Sequence, residues 1–209
     1  MLTFRSRSSW VAVALGPAVA LALAIALVGV ACGGAGAGAG AGAEGAPEPT
    51  SLNALVVDGA GLATTGSVDQ DELRTVAGDV LIRGNPELAA VRLNRLESVG
   101  GDLVFERNPQ LGLVSLPALR RVGGDVVVDG NGVLVLVHFG ALERVGDALR
   151  VEANPDLADV EAPMLRDVGG RVVIEGNRSL SGEAAAALAA QTGAADVSVE
   201  DNAPPADPL

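Results

Sequence analysis

Five asparagines, Asn85, Asn108, Asn131, Asn154 and Asn177, stand 23 residues apart. Three apolar columns keep the same step. They are Leu73, Leu96, Leu119, Leu142 and Leu165; Val76, Val99, Val122, Val145 and Val168; and Leu88, Leu111, Leu134, Leu157 and Leu180. Four columns in register over five units define a tandem repeat, written L-x-x-V-G-G-D-V-V-I-x-G-N-P-x-L-x-x-V-x-L-x-x. A strict period of this length constrains the fold more than any local motif, because it requires each unit to take the same conformation as its neighbours.

One unit cannot fold alone. Ordering 23 backbones at about 1–2 kcal/mol each outweighs burying roughly seven apolar side chains at about 1.5–3 kcal/mol each. Stacked units supply one another with a backbone ladder and close both faces of each core layer. Val80–Ile82, Leu103–Phe105, Val126–Val128 and Val172–Ile174 are short and rich in β-branched residues, so they predict strands. Identical register places each strand beside its copy, about 4.8 Å away, in a parallel sheet. The Gly-Gly pairs at 100–101, 123–124 and 169–170 predict turns of unusual φ, and Asn-Pro or Asn-Gly predicts a second turn. Val91-x-Leu93 and Val114-x-Leu116 predict a second, shorter extended piece. The Asn column stacks with the strands, so its amides serve the turn backbone and one another as a structural ladder.

The expected fold is therefore a mainly β, right-handed parallel β-solenoid of about seven coils over residues 51–202. Its ends depart from the consensus. Leu55–Gly59 reads as a degenerate first coil two residues out of step. Beyond Asn177, Ser181 as N-cap, Glu183 in the first turn and Gly193 as stop predict a short Ala-rich helix near 182–192. Val197–Val199 predicts a last strand, and Asn202 continues the Asn column after a two-residue insertion. The tail 203–209 is expected to be disordered.

With Asn85-Pro86-Glu87-Leu88 and Asn108-Pro109-Gln110-Leu111 as its best-matching stretches, the repeat resembles receptor L domains, leucine-rich-repeat-like β-solenoids of receptor ectodomains and microbial surface proteins. The resemblance covers roughly residues 52–202 and implies architecture, a cell-surface setting and no catalytic residues. Animal members carry disulfides, for which this chain, with one Cys, has no material.

The N-terminal region predicts an address. Arg5 and Arg7 precede an uncharged apolar run over residues 11–31, and Cys32 follows. This predicts an export signal over 1–31, with an uncleaved membrane helix as the rival reading. Val30-Ala31-Cys32 resembles the lipobox of bacterial lipoproteins, whose Cys is acylated and becomes the mature N-terminus. The chain departs from that pattern at Gly29, where the family prefers Leu, Val or Ile. Gly33 in place of Asp implies, by the same resemblance, the outer membrane rather than inner-membrane retention. Residues 32–50, the Cys and a Gly/Ala-rich stretch, predict a flexible tether.

Composition narrows the function classes. The chain has 26 acidic and 14 basic residues, all Arg, for a net charge of −12. Removing residues 1–31 leaves 12 Arg and a net −14. Such a chain is a poor partner for nucleic acid. One His and one Cys leave no multi-His or multi-Cys metal site, and no cofactor is expected. His138 shares a column with ordinary polar residues and predicts a solvated side chain. Carboxylate columns invite Ca²⁺, but parallel strands do not converge oxygens as Ca²⁺ requires.

Strand alternation points Leu81, Val104, Val127, Arg150 and Val173 outward. On one side runs the column Asp79, Asp102, Asp125, Ala148, Arg171; on the other Arg83, Glu106, Asp129, Glu152, Glu175. An apolar stripe between acidic stripes is the expected binding surface, with Glu106, Asp129 and Glu152 at its rim. The sequence-level expectation is an exported, lipid-anchored, non-enzymatic envelope protein that contacts a protein or polysaccharide. The alternatives are a carbohydrate-active enzyme on a β-helix scaffold and a ligand-free envelope spacer.

Overall fold

The computed structural model describes residues 50–58 and 66–204. Cys32, the apolar run and the tether up to residue 49 lie outside the described residues, as do 205–209 of the tail, whereas Thr50, the last residue assigned to the tether, already belongs to a strand. Among the described residues no helix is long and apolar enough to cross a membrane.

Parallel strands wind into a β-solenoid of about six turns. Three sheets line it. The first holds β1 (Thr50–Leu52), β4 (Leu73–Val76), β7 (Ser98–Val99), β10 (Arg121–Val122), β13 (Arg144–Val145) and β16 (Asp167–Val168). The second holds β2 (Leu55–Asp58), β5 (Val80–Arg83), β8 (Leu103–Glu106), β11 (Val126–Asp129), β14 (Leu149–Glu152), β17 (Val172–Glu175) and β18 (Val197–Glu200). The third holds β3 (Gly66–Asp69), β6 (Leu88–Arg92), β9 (Leu113–Ser115), β12 (Leu136–His138) and β15 (Asp159–Glu161). Every coil contributes one strand to each sheet until the sixth. There α1 (Gly182–Gln191) replaces the strand of the third sheet. The expected seventh coil amounts to β18 followed by Asn202.

Register follows the repeat. Val127 of β11 lies beside Val104 and Arg150, each 23 residues away. Leu55 pairs with Val80 and Val172 with Val197, which is where the two irregular ends take up their two-residue insertions. The apolar columns face inward and are buried, with Phe105 and Phe139 the bulkiest members of a continuous core. The two-residue strands of the first sheet were not anticipated. They add a third sheet to the two extended pieces per unit that the sequence predicted.

The Gly-Gly pairs do not carry unusual φ, contrary to expectation; the positive-φ glycines are Gly66, Gly84, Gly130, Gly176 and Gly193. Their role is close stacking. A Cβ on Gly123 would stand 2.1 Å from the carbonyl oxygen of Gly100, and one on Gly124 would stand 2.0 Å from Oδ1 of Asp102. The left-handed position is instead the residue before each Asn, where Gly84, Gly130 and Gly176 alternate with Arg107 and Ala153.

Helix α1 closes the C-terminal end. Its buried face is Ala185, Leu188 and Ala189, three to four residues apart. Ser181 occupies the N-cap position without a side-chain capping bond; its carbonyl accepts from the Ala185 N–H at 2.9 Å. Gly193 ends the helix at φ +68. Gln191 Nε2 donates to the Ala162 carbonyl at 2.8 Å, and the Val168 N–H donates to the Thr192 carbonyl, so the cap also occupies sheet edges. Ala203, the first residue of the tail, forms a parallel bridge with Ser181.

Candidate functional site

The fold separates ladders that build the solenoid from a face that is left over. The Asn column is inside, with Asn85 through Asn177 all 0% exposed. Each Oδ1 from Asn108 to Asn202 accepts the backbone N–H of the preceding Asn at 3.0–3.2 Å. The same Oδ1 accepts that residue's Nδ2 at 2.9–3.2 Å. Each Nδ2 also reaches a strand carbonyl of the coil before it, such as Phe105 for Asn131 at 3.0 Å. Among the described residues no buried side-chain polar atom lacks a partner. The column is structural and takes no part in a surface site.

One of the two acidic columns is also structural. Oδ1 of Asp79, Asp102 and Asp125 accepts the backbone N–H of Asp102, Asp125 and Ala148 at 2.9, 2.9 and 2.7 Å. These carboxylates continue the ladder around the glycine corner. They do not form the free stripe that the sequence suggested, because their acceptors are already aimed along the solenoid axis.

The outer face of the second sheet is what remains. Leu81, Val104 and Val127 are half-buried in a row, and Val56 beside Leu81 extends it by one coil. Arg150 is exposed and ends the apolar run. Val173, expected outside, is only 7% exposed. It lies in a hollow of about 300 Å³ walled by Arg150, Glu152, Arg171 and Glu175, whose long side chains shield it. Two residues along each strand lies the second acidic column: Arg83, Glu106, Asp129, Glu152, Glu175 and Glu200. Arg107 pairs with Glu106 at 2.6 Å, and Ser198 Oγ donates to Glu175. Burial, then the neighbouring Glu106 carboxylate, raises the pKa of Asp129 above its ordinary value, with Arg107 opposing.

Two other hollows are larger. One of about 460 Å³ lies over the glycine corner of the first sheet, beside Ser98, Arg121 and Arg144. One of about 480 Å³ lies between β15 and α1, beside His138, Val160, Leu188 and Gln191. His138 is not simply solvated: its Nδ1 pairs with the Glu161 carboxylate one coil on. Among the described residues no group of three or more His, Cys, Asp or Glu converges as a metal site.

Comparison of the chain with protein-family models, with curated proteins and with solved structures returns no match. The functional reading therefore rests on the sequence and on this geometry.

Proposed function

We propose that the protein is an exported envelope protein, lipid-anchored through Cys32 in the outer membrane. Its solenoid acts as a non-enzymatic contact surface for a protein or envelope polymer. The observation that carries the reading is the exposed face of the seven-stranded sheet. There Leu81, Val104 and Val127 form an apolar row that the coil-to-coil ladders leave unused. A rigid sheet presenting such a row beside charged neighbours is how a solenoid offers a recognition surface. The basic start, apolar run and Cys32 support the address, and the repeat's resemblance to receptor L domains supports a surface role.

Mass spectrometry of the mature protein tests the anchor. The expected N-terminus is an acylated Cys32; an unmodified Cys32, or an N-terminus elsewhere, contradicts it. Cell fractionation supplies the second readout: Cys32→Ser is expected to move the protein from the envelope fraction to the soluble one, and unchanged fractionation contradicts lipid anchoring.

A further inference from the structure

Several exposed charges on this solenoid are matched between neighbouring coils. Arg74 pairs with Glu97 at 2.7 Å and Arg120 with Glu143 at 3.6 Å, within a column that runs Arg74, Glu97, Arg120, Glu143, Arg166. Arg92 pairs with Asp69, Arg144 with Asp167, and Arg171 with Asp196. His138 pairs with Glu161. The column Glu106, Asp129, Glu152, Glu175, Glu200 instead sets five carboxylates on adjacent strands. Like charges directly opposite across strands destabilise a sheet. Beyond the Arg107–Glu106 pair, no member of the column forms a salt bridge among the described residues. Arg150 and Arg171 border only its Glu152–Glu175 end. Arg83 and Arg107 border its Glu106 end, and the stretch Glu106, Asp129 and Glu152 runs beside Val104 and Val127 on the same face.

We propose that this face docks a basic protein segment, one that lays apolar side chains on Leu81, Val104 and Val127 and Arg or Lys on Glu106, Asp129 and Glu152. This rests on the contact-surface reading and adds the chemistry of the partner. Charge complementarity decides the occupant: a run of carboxylates alongside the apolar row suits a partner's cations. A second copy of this chain fits poorly, because two molecules of net charge −12 repel.

The test uses the full chain in non-ionic detergent and a fluorescent peptide of four Arg-Val repeats, read by anisotropy. Wild type is expected to bind it, and to bind a four-repeat Glu-Val peptide at least tenfold more weakly. Glu106→Gln/Asp129→Asn/Glu152→Gln is expected to weaken Arg-Val binding at least tenfold, and Val104→Thr/Val127→Thr to weaken it severalfold. The control Glu97→Gln/Glu143→Gln/Glu161→Gln removes as many charges elsewhere and is expected to stay within twofold of wild type. Equal weakening by both charge variants would reduce the effect to net charge and overturn the proposal. So would absence of binding by wild type, or light scattering that shows the face occupied by a second copy. Melting temperatures confirm folding, since neutralising a like-charge column should not lower stability. Failure of peptide binding with an acylated Cys32 still in the envelope overturns the basic partner alone. Loss of the anchor overturns the broader reading independently.

Discussion

At the scale of single residues, the solenoid distinguishes buried amides from surface carboxylates that look equally periodic. Asn131 → Ala removes the acceptor for the backbone N–H and Nδ2 of Asn108 and the donor to the Phe105 carbonyl, all in a fully buried column. Each orphaned buried group costs about 1–3 kcal/mol, so the expected loss is about 3 kcal/mol or more by chemical denaturation. Asp102→Ala removes one half-buried acceptor, that for the Asp125 N–H, and is expected to cost about 1 kcal/mol. Similar small losses for both would contradict the buried ladder. Asp129 has the opposite sign. Its folded-state pKa lies above the ordinary 3.8, so the folded state holds the proton to higher pH than the unfolded chain does. Stability then falls as pH rises from the unfolded value through the folded one. Asp129→Asn should therefore stabilise the protein by about 0.2–1 kcal/mol at neutral pH, a gain that disappears near about pH 3. A gain that persisted there would show that ionisation is not its source. The Asn column was legible in the sequence because its period is unbroken. The bonds of Asp79, Asp102 and Asp125 were not, because the N–H that each accepts belongs to a residue 23 positions later.

At the scale of elements, what was legible depended on length. The four-residue strands of the second sheet carry alternation that can be read directly, and Ala-rich residues followed by Gly193 marked the helix. Ser98–Val99 and Arg121–Val122 are too short to show a period, so a whole sheet stayed hidden until neighbouring coils were stacked. The Gly-Gly corner shows the same limit. Its cause is the backbone of the coil before, not local φ, and the signal that could have revealed the true left-handed position was Gly84, Gly130 and Gly176 in one column. Gly123→Ala drives a Cβ to 2.1 Å from the Gly100 carbonyl oxygen and is expected to cost about 1–3 kcal/mol. Gly132→Ala, whose nearest neighbour would be at 4.0 Å, is expected to stay within about 0.5 kcal/mol. Thermal melts of the two variants compare a corner that must stay bare with a turn that need not.

At the scale of the whole molecule, stability and surface derive from one relation: each coil lies on the next in register, so any residue type placed in a column becomes a line. Core columns become a continuous hydrophobic cluster, Asn becomes a buried ladder, and alternating Arg and Glu become paired stripes. A run of acids beside an apolar row becomes a face with chemistry to spare. The architecture was legible because 23-residue spacing is global information. Val173 keeps its place in the outward column, opposite Arg150, but its low exposure was not legible, because the Arg150 and Arg171 side chains that wall its hollow take directions no spacing records. Disulfide trapping in the full chain, with Cys32→Ser as background, measures the register most directly. Adjacent strands lie about 4.8 Å apart, within the Cα separation a disulfide spans, whereas strands two coils apart, at about 9.6 Å, are beyond it. Leu81→Cys/Val104→Cys is predicted to close a disulfide on mild oxidation and Leu81→Cys/Val127→Cys to remain reduced. Bridging of the second pair, with the first left open, would contradict the stacked register and the face inferred from it.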